Sequence, residues 1–281
     1  MPPAPALYAL GMPELPEVET TRLGLVPHLE GRQIKSVRLR RADLRWPIPR
    51  EIKTLLPGQP ILGLRRRAKY LLLDVPSGSA LIHLGMSGCL RLVDQAQPIG
   101  RHDHVDLVLD SGQSIRFTDP RRFGCLLWQP LGQTHDLLRD LGPEPLTAEC
   151  SGEYLFARSR QRTASVKTFL MDQGIVVGVG NIYAVETLFR AGIAPGRAAG
   201  RVSKARYSRL AEAIKTVLAE AIRSGGTTLR DFLHLDGMPG YFKQELLVYG
   251  REGQPCLACG RTLSGTRLGN RATVWCGHCQ R

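Results

Sequence analysis

Four cysteines near the C-terminus, Cys256, Cys259, Cys276 and Cys279, form two Cys-x-x-Cys pairs with sixteen residues between them. Two tight turns of this kind can present four thiolates tetrahedrally to one zinc ion, and a pair of redox dithiols is the other reading of the same spacing. The segment around them is short, glycine-rich and poor in apolar residues, so a metal is its expected source of stability. A closed four-thiolate site has no open position for substrate, which assigns the zinc to folding and not to catalysis. Between the pairs runs Asn270-Arg271-Ala272-Thr273-Val274-Trp275. On a zinc-stapled hairpin, Arg271 would be held rigidly enough for bidentate contact with a phosphate.

A second cluster, Gly178-Val179-Gly180-Asn181, stands between two helical patterns. Asn181 is a good N-cap, and the glycines let amides near Gly180 converge on an anion at the helix start. A plain turn would use the same glycines. Near the other end, Met12-Pro13-Glu14-Leu15-Pro16-Glu17 combines a proline with carboxylates. Taken alone, those residues read as a loop leading into a helix whose positive end favours acidic side chains.

The elements that must position these groups follow from periodicity. Residues 16–29 read as a helix, with Pro16 at its first position, Val18, Leu25 and Leu29 at helical spacing, and Gly31 as a stop. From residue 33 to about 128 the signal becomes short apolar or alternating runs at 34–39, 70–75, 80–84, 105–109 and 125–128, separated by Pro/Gly/Ser/Asp turns. That pattern predicts an antiparallel β-sandwich. Beyond Gly142-Pro143-Glu144-Pro145 it turns helical at 152–159, 165–172, 181–191 and 203–224. The fold class is α+β. The expected division is an extension at 1–12, a sandwich domain with its N-terminal helix at 13–142, a helical domain at 143–245 and a zinc finger at 246–281.

The 281 residues carry 38 Lys and Arg against 25 Asp and Glu, a formal charge of +13. Such an excess suits a polyanionic partner or a merely well-solvated surface. No apolar run approaches the roughly 20 residues of a membrane span. Cys89, Cys125 and Cys150 read as free thiols of a reducing compartment. The first eleven residues have neither signal-peptide nor transit-peptide character.

From Met12 to the C-terminus the chain resembles the bacterial formamidopyrimidine-DNA glycosylases, which are also 8-oxoguanine-DNA glycosylases. The resemblance rests on the Met12 to Glu19 motif, the Gly178 to Asn181 turn and the cysteine finger. It extends to His83-Leu84-Gly85-Met86-Ser87-Gly88, Asp119-Pro120-Arg121-Arg122-Phe123-Gly124, Gly225-Gly226-Thr227-Thr228-Leu229 and Gly240-Tyr241-Phe242. It implies a β-sandwich, a helix-two-turns-helix domain and a zinc finger, in that order. The implied activity is base-excision repair: removal of oxidised purines from duplex DNA, then strand cleavage by β,δ-elimination through a Schiff base.

In that family the nucleophile is the secondary amine of an N-terminal proline, here Pro13. Met12 is then the expected start, because an amide nitrogen at Pro13 would have no free lone pair. A free α-amino group is about 10% unprotonated at pH 7, against about 0.04% for an ordinary lysine. The resemblance makes Glu14 the acid/base carboxylate and Glu17 a second one that positions the amine. Lys69, His83, Asn181 and Arg271 are the implied phosphate clamp, and residues 65–67 are read as background charge. Met86, Arg121 and Phe123 are the implied wedge filling the gap left by the extruded nucleotide. His102, Lys167, Arg230 and Tyr241 are further implied DNA contacts, and residues 225–236 an implied lid over the flipped base.

Two alternatives are an endonuclease VIII-like enzyme acting on oxidised pyrimidines and a non-catalytic zinc-dependent DNA-binding protein that keeps its extension. The expected setting is a monomer in the bacterial cytoplasm, associated with the nucleoid, with damaged double-stranded DNA as partner and no membrane.

Overall fold

A computed structural model describes residues 13–228 and 246–281. The first helix, α1 (Leu15–Leu29), begins one residue before the expected start and turns Val18, Leu25 and Leu29 into the sandwich core. Eight strands follow: β1 (Ile34–Leu39), β2 (Gly63–Arg67), β3 (Tyr70–Val75), β4 (Gly78–His83), β5 (Cys89–Asp94), β6 (Asp103–Leu109), β7 (Gln113–Thr118) and β8 (Cys125–Pro130). They pair antiparallel in two sheets, ordered β1-β6-β7-β5 and β2-β3-β4-β8.

The inner faces meet through Leu71, Leu73, Val75 and Ile82 on one side and Leu90, Val105, Leu107, Leu109, Ile115 and Phe117 on the other. The apolar run of β3 is nearly continuous because its other face is covered too. Leu72 packs there with Leu81, Leu127 and Leu138, the last from the short helix α3 (Asp136–Arg139), which follows α2 (Arg50–Thr54) in the chain.

Three strands without a clear apolar signal, β2, β5 and β7, carry arginines on the outward side. On the β1-β6-β7-β5 sheet these arginines are matched by carboxylates across the strands. Asp106 stands opposite Arg116 in the ladder and takes its guanidinium at 2.9 Å and 3.1 Å, and it also pairs with Arg40. Arg116 is 1% exposed and bonds the carbonyl of Pro98 as well, so it ties down the loop before β6.

After the sandwich come α4 (Gly152–Ser159), α5 (Val166–Met171), α6 (Asn181–Arg190) and α7 (Lys204–Thr228), packed round a separate core that includes Phe169, Tyr183, Leu188, Tyr207, Leu210, Ile214 and Leu218. Two sequence expectations change here. Helix α7 runs on through Gly225 and Gly226 to Thr228, so the implied lid begins as helix, and the rest of that lid, with Arg230 and Tyr241, lies outside the described residues. Asn181 is the first helical residue of α6, and Gly180 is the cap. The finger adds β9 (Ser264–Leu268) and β10 (Arg271–Trp275), with a small core of Val248, Leu263 and Val274 seated on Val185 of α6. Among the described residues no helix is long and apolar enough to cross a membrane.

Replacing Asp106 by Ala would strip the buried Arg116 of its two shortest carboxylate bonds and leave it only the longer 3.4 Å pairing with Asp103 and backbone carbonyls, and breaking a buried pair by removing one partner is strongly destabilising. The expected loss is about 3–5 kcal/mol of unfolding free energy, read by urea denaturation; a loss below ~1 kcal/mol would mean the pair is dispensable.

Candidate functional site

The helix start at Gly180 does gather an anion, but the anion is the protein's own. Glu14, 2% exposed, lays its carboxylate against the first turn of α6. Its Oε2 accepts the amides of Gly180 at 2.8 Å and Tyr183 at 3.3 Å, and its Oε1 that of Ile182 at 2.9 Å. This explains the glycines of the turn. A Cβ on Gly180 would lie 2.4 Å from the Glu14 carboxyl carbon, and one on Gly178 would lie 2.5 Å from Leu15. Gly178 also has a φ of +80°, and its carbonyl accepts the Leu15 amide.

Glu17 sits one turn further along α1. Its Oε2 accepts the Glu14 amide at 2.9 Å and its Oε1 accepts the Tyr183 hydroxyl at 2.7 Å. Tyr183 is 1% exposed and had no assigned role in the sequence reading, although it closes the same motif as Asn181. Burial raises the pKa of both carboxyls above the usual range. For Glu14, Lys69 and the three α6 amides pull back; for Glu17, Glu14 pushes further up.

Lys69 occupies the tight turn between β2 and β3 and is 9% exposed. Burial lowers its pKa, Glu14 and Glu17 raise it, and Arg271 lowers it again, with a net fall. The turn is held from outside by Glu144, which accepts the Ala68 amide at 2.7 Å, Arg66 at 2.7 Å and Arg67 at 3.0 Å. Arg66 also reaches Glu19 of α1, and Arg67 donates to the carbonyls of Leu141 and Gly142. Residues 66 and 67 are therefore not background charge; they clasp the Lys69 turn to α1 and to the segment leading into the helical lobe.

His83 ends β4, and its Nδ1 accepts the Gly85 amide at 2.9 Å, which leaves Nε2 as the donor. Burial, with Lys69 and Arg45 adding to it, lowers its pKa to about 4, so the ring is neutral at physiological pH. Arg271 opens β10 after Gly269 and Asn270, whose φ values of +54° and +59° make a two-residue hairpin turn of the primed kind. The hairpin is strapped to the helical lobe next to Arg271. The Ala272 carbonyl accepts both Asn181 Nδ2 and Lys167 Nζ, each at 3.1 Å, and Lys167 also donates to Thr273 Oγ1 at 2.7 Å. Lys167 is wholly buried, and burial together with Arg271 lowers its pKa to about 8.

These pieces enclose a cavity of about 510 Å³ reached by Glu14, Lys69, His83, Met86, Asn181 and Arg271. Arg121 and Phe123 are not among its lining residues; they project from the neighbouring 119–124 loop, stacked on each other at 4.8 Å, with Phe123 43% exposed. His102 also lies apart from the cavity, in the loop before β6, where its carbonyl accepts the Asp119 amide. The four finger cysteines have their sulfurs within 4.8 Å of one another, with separations of 3.5 Å for Cys259–Cys276 and 4.0 Å for Cys256–Cys279. Four zinc–sulfur bonds of about 2.3 Å in a tetrahedron separate their sulfurs by ~3.8 Å, so the cluster fits one structural zinc ion.

Three family models match in chain order: the formamidopyrimidine-DNA glycosylase N-terminal domain at residues 12–126, the H2TH domain of the same glycosylases at 141–233, and the zinc finger found in FPG and IleRS at 253–281. The formamidopyrimidine-DNA glycosylase of Stenotrophomonas maltophilia (strain K279a) is 66% identical over 270 residues, 96% of this chain and 100% of that protein. The crystal structure of the MutM (Fpg) protein from Thermus thermophilus superposes with a TM-score of 0.82 at 40% identity, covering 95% of this chain and 98% of that one. Lactococcus lactis Fpg in complex with a Fapy-dG containing DNA gives 0.86 at 29% identity, covering 95% and 100%.

Removing the zinc, or replacing Cys276 by Ser, should unfold the finger, whose own apolar core is small, and release the Arg271 hairpin. The expected outcome is loss of DNA binding with the β-sandwich still folded by near- and far-UV circular dichroism. Undiminished DNA affinity in a verified zinc-free sample would contradict it.

Proposed function

The chain belongs to the formamidopyrimidine-DNA glycosylase family, and we propose that this base-excision-repair enzyme removes oxidised purines from duplex DNA by attack of the Pro13 secondary amine. The observation that carries the reading is the buried Glu14 carboxylate, next in sequence to Pro13 and facing the cavity. Two facts support an N-terminal Pro13. The first family model begins at residue 12, and the whole length of the Stenotrophomonas relative is accounted for by 270 of the 281 residues here.

With Met12 removed, the proline nitrogen attacks the sugar C1′ as the bond from C1′ to the base breaks, and once the nitrogen has shed its own proton its lone pair expels O4′ from C1′ to open the sugar as an iminium. The departing base, or the ring oxygen as the sugar opens, takes a proton from Glu14, whose burial raises its pKa and so favours the proton-carrying form relative to an exposed carboxylate. The resulting iminium withdraws electrons, so a proton leaves C2′ with the 3′ phosphate, and a second elimination expels the 5′ phosphate. Hydrolysis of the iminium returns the free amine. Glu17 holds the Glu14 amide, hence the peptide plane that carries the pyrrolidine ring, and so aims the nucleophile. Lys69, Asn181 and Arg271 bind phosphate beside the lesion, with His83 as a neutral donor. Met86, Arg121 and Phe123 fill the vacated stack. His102 adds a DNA contact, and Lys167 supports the Arg271 hairpin from behind. DNA as substrate puts the enzyme in the bacterial cytoplasm, at the nucleoid.

Borohydride should trap a covalent adduct between damaged DNA and Pro13 in protein that starts at that residue, located by peptide mapping. Protein retaining residues 1–12 should bind the lesion without trapping, and intact-mass analysis of the native enzyme should give a start at Pro13. Glu14→Gln should impair base excision more than cleavage of a preformed abasic site. Equal trapping by the unprocessed chain, or an adduct on Lys69, would overturn the assignment.

Arg271→Ala should weaken binding to all duplexes and reduce the log–log salt slope by about one. His83→Ala should weaken binding with the slope unchanged, because a neutral ring releases no counterion. Equal slope changes would show that His83 binds as a cation.

A further inference from the structure

We propose that Asp119, together with Ser87, is a positioning residue that locks the two wedge-bearing loops into one rigid lever for nucleotide extrusion. The inference rests on the wedge reading of Met86, Arg121 and Phe123 and adds the part that makes a wedge mechanically effective. A side chain can displace a stacked base only if the backbone behind it does not yield. The loop at 119–124 exposes Arg121 and Phe123 to solvent and passes through Arg122 with a φ of +57°, so its own conformation does not stiffen it.

The stiffness comes from beneath. Asp119 is 0% exposed. Its Oδ1 accepts the Ser87 hydroxyl at 2.6 Å, and its Oδ2 accepts the Gly124 amide at 2.8 Å. The Ser87 oxygen in turn accepts the Arg121 amide at 3.1 Å. One carboxylate and one hydroxyl thus join Met86's neighbour to both sides of Phe123. The backbone of Asp119 is fastened to β6 and the loop before it, its carbonyl accepting a hydrogen bond from His104 Nε2 at 2.8 Å and its amide donating to the His102 carbonyl at 3.0 Å. The two loops also approach each other closely. A Cβ on Gly85 would lie 2.4 Å from the Gly124 nitrogen, and one on Gly124 would lie 2.7 Å from the His83 carbonyl oxygen. Because His83 lies at the cavity and Phe123 on the wedge, this contact also fixes the spacing between them.

The test uses zinc-loaded, Pro13-initiated enzyme and a lesion duplex carrying 2-aminopurine beside the lesion, whose fluorescence rises on extrusion. Asp119→Asn and Ser87→Ala should each slow the fluorescence rise and duplex excision by about tenfold or more. Cleavage of a single-stranded abasic oligonucleotide, which needs no wedge, should be unchanged, and Phe123→Ala serves as the reference for wedge loss. Loss of single-strand cleavage as well would overturn the proposal, since the residues would then act on the fold at large. Normal extrusion by both variants while Phe123→Ala fails would overturn it and leave the wedge reading standing. Normal extrusion by Phe123→Ala would remove the wedge reading itself.

Discussion

Burying the Glu14 carboxylate on the first turn of α6 is the constraint from which the rest of the site follows. Three amides hold it, each charge-assisted bond contributing roughly 1.5–3 kcal/mol. The desolvation opposing them is of similar size and leaves the pKa raised. The arrangement is therefore better understood as placement than as stabilisation. It fixes the start of α1, a helix of the sandwich, against the start of a helix in the other lobe. It also excludes any side chain from Gly178 and Gly180, and burial leaves the carboxyl with a raised pKa.

Around that joint, several acidic groups are turned inward. Glu14, Asp103, Asp106, Asp119 and Glu186 are all buried and take donors from within the chain, and Glu144 neutralises the arginines behind Lys69. Glu186 accepts three successive amides at residues 247–249 and so anchors the entry to the finger on α6. The net charge of +13 comes from the excess of Lys and Arg over Asp and Glu, and it suits a polyanionic partner. Beside the cavity, Lys167 and Asn181 pin one carbonyl of the finger next to Arg271, and the four-cysteine cluster fits the zinc ion that folds it.

The local signals in the sequence were sufficient for the elements and for the types of chemistry. The apolar run at residues 70–75 became β3, residues 152–159 became α4, and the cysteine spacing became a cluster of zinc dimensions, because periodicity and short-range spacing act within a few residues. The family motifs likewise placed Glu14, Lys69, His83, Met86, Asn181 and Arg271, which converge on one cavity. Strands β2, β5 and β7 were harder to see because their outward arginines obscure the alternation until the opposing carboxylates are known.

Only tertiary structure could decide which anion sits on the Gly180 turn, since its owner is 166 residues away in the chain. The same holds for the clasp of Glu144 on residues 66–68, for Tyr183 on Glu17, and for Asp119 beneath the wedge, each joined to partners distant in sequence. A sequence displays the donors and acceptors that a chain owns. Which of them meet is settled by packing, because a buried polar group takes whichever partner the fold brings within reach, at a cost of a few kcal/mol if there is none.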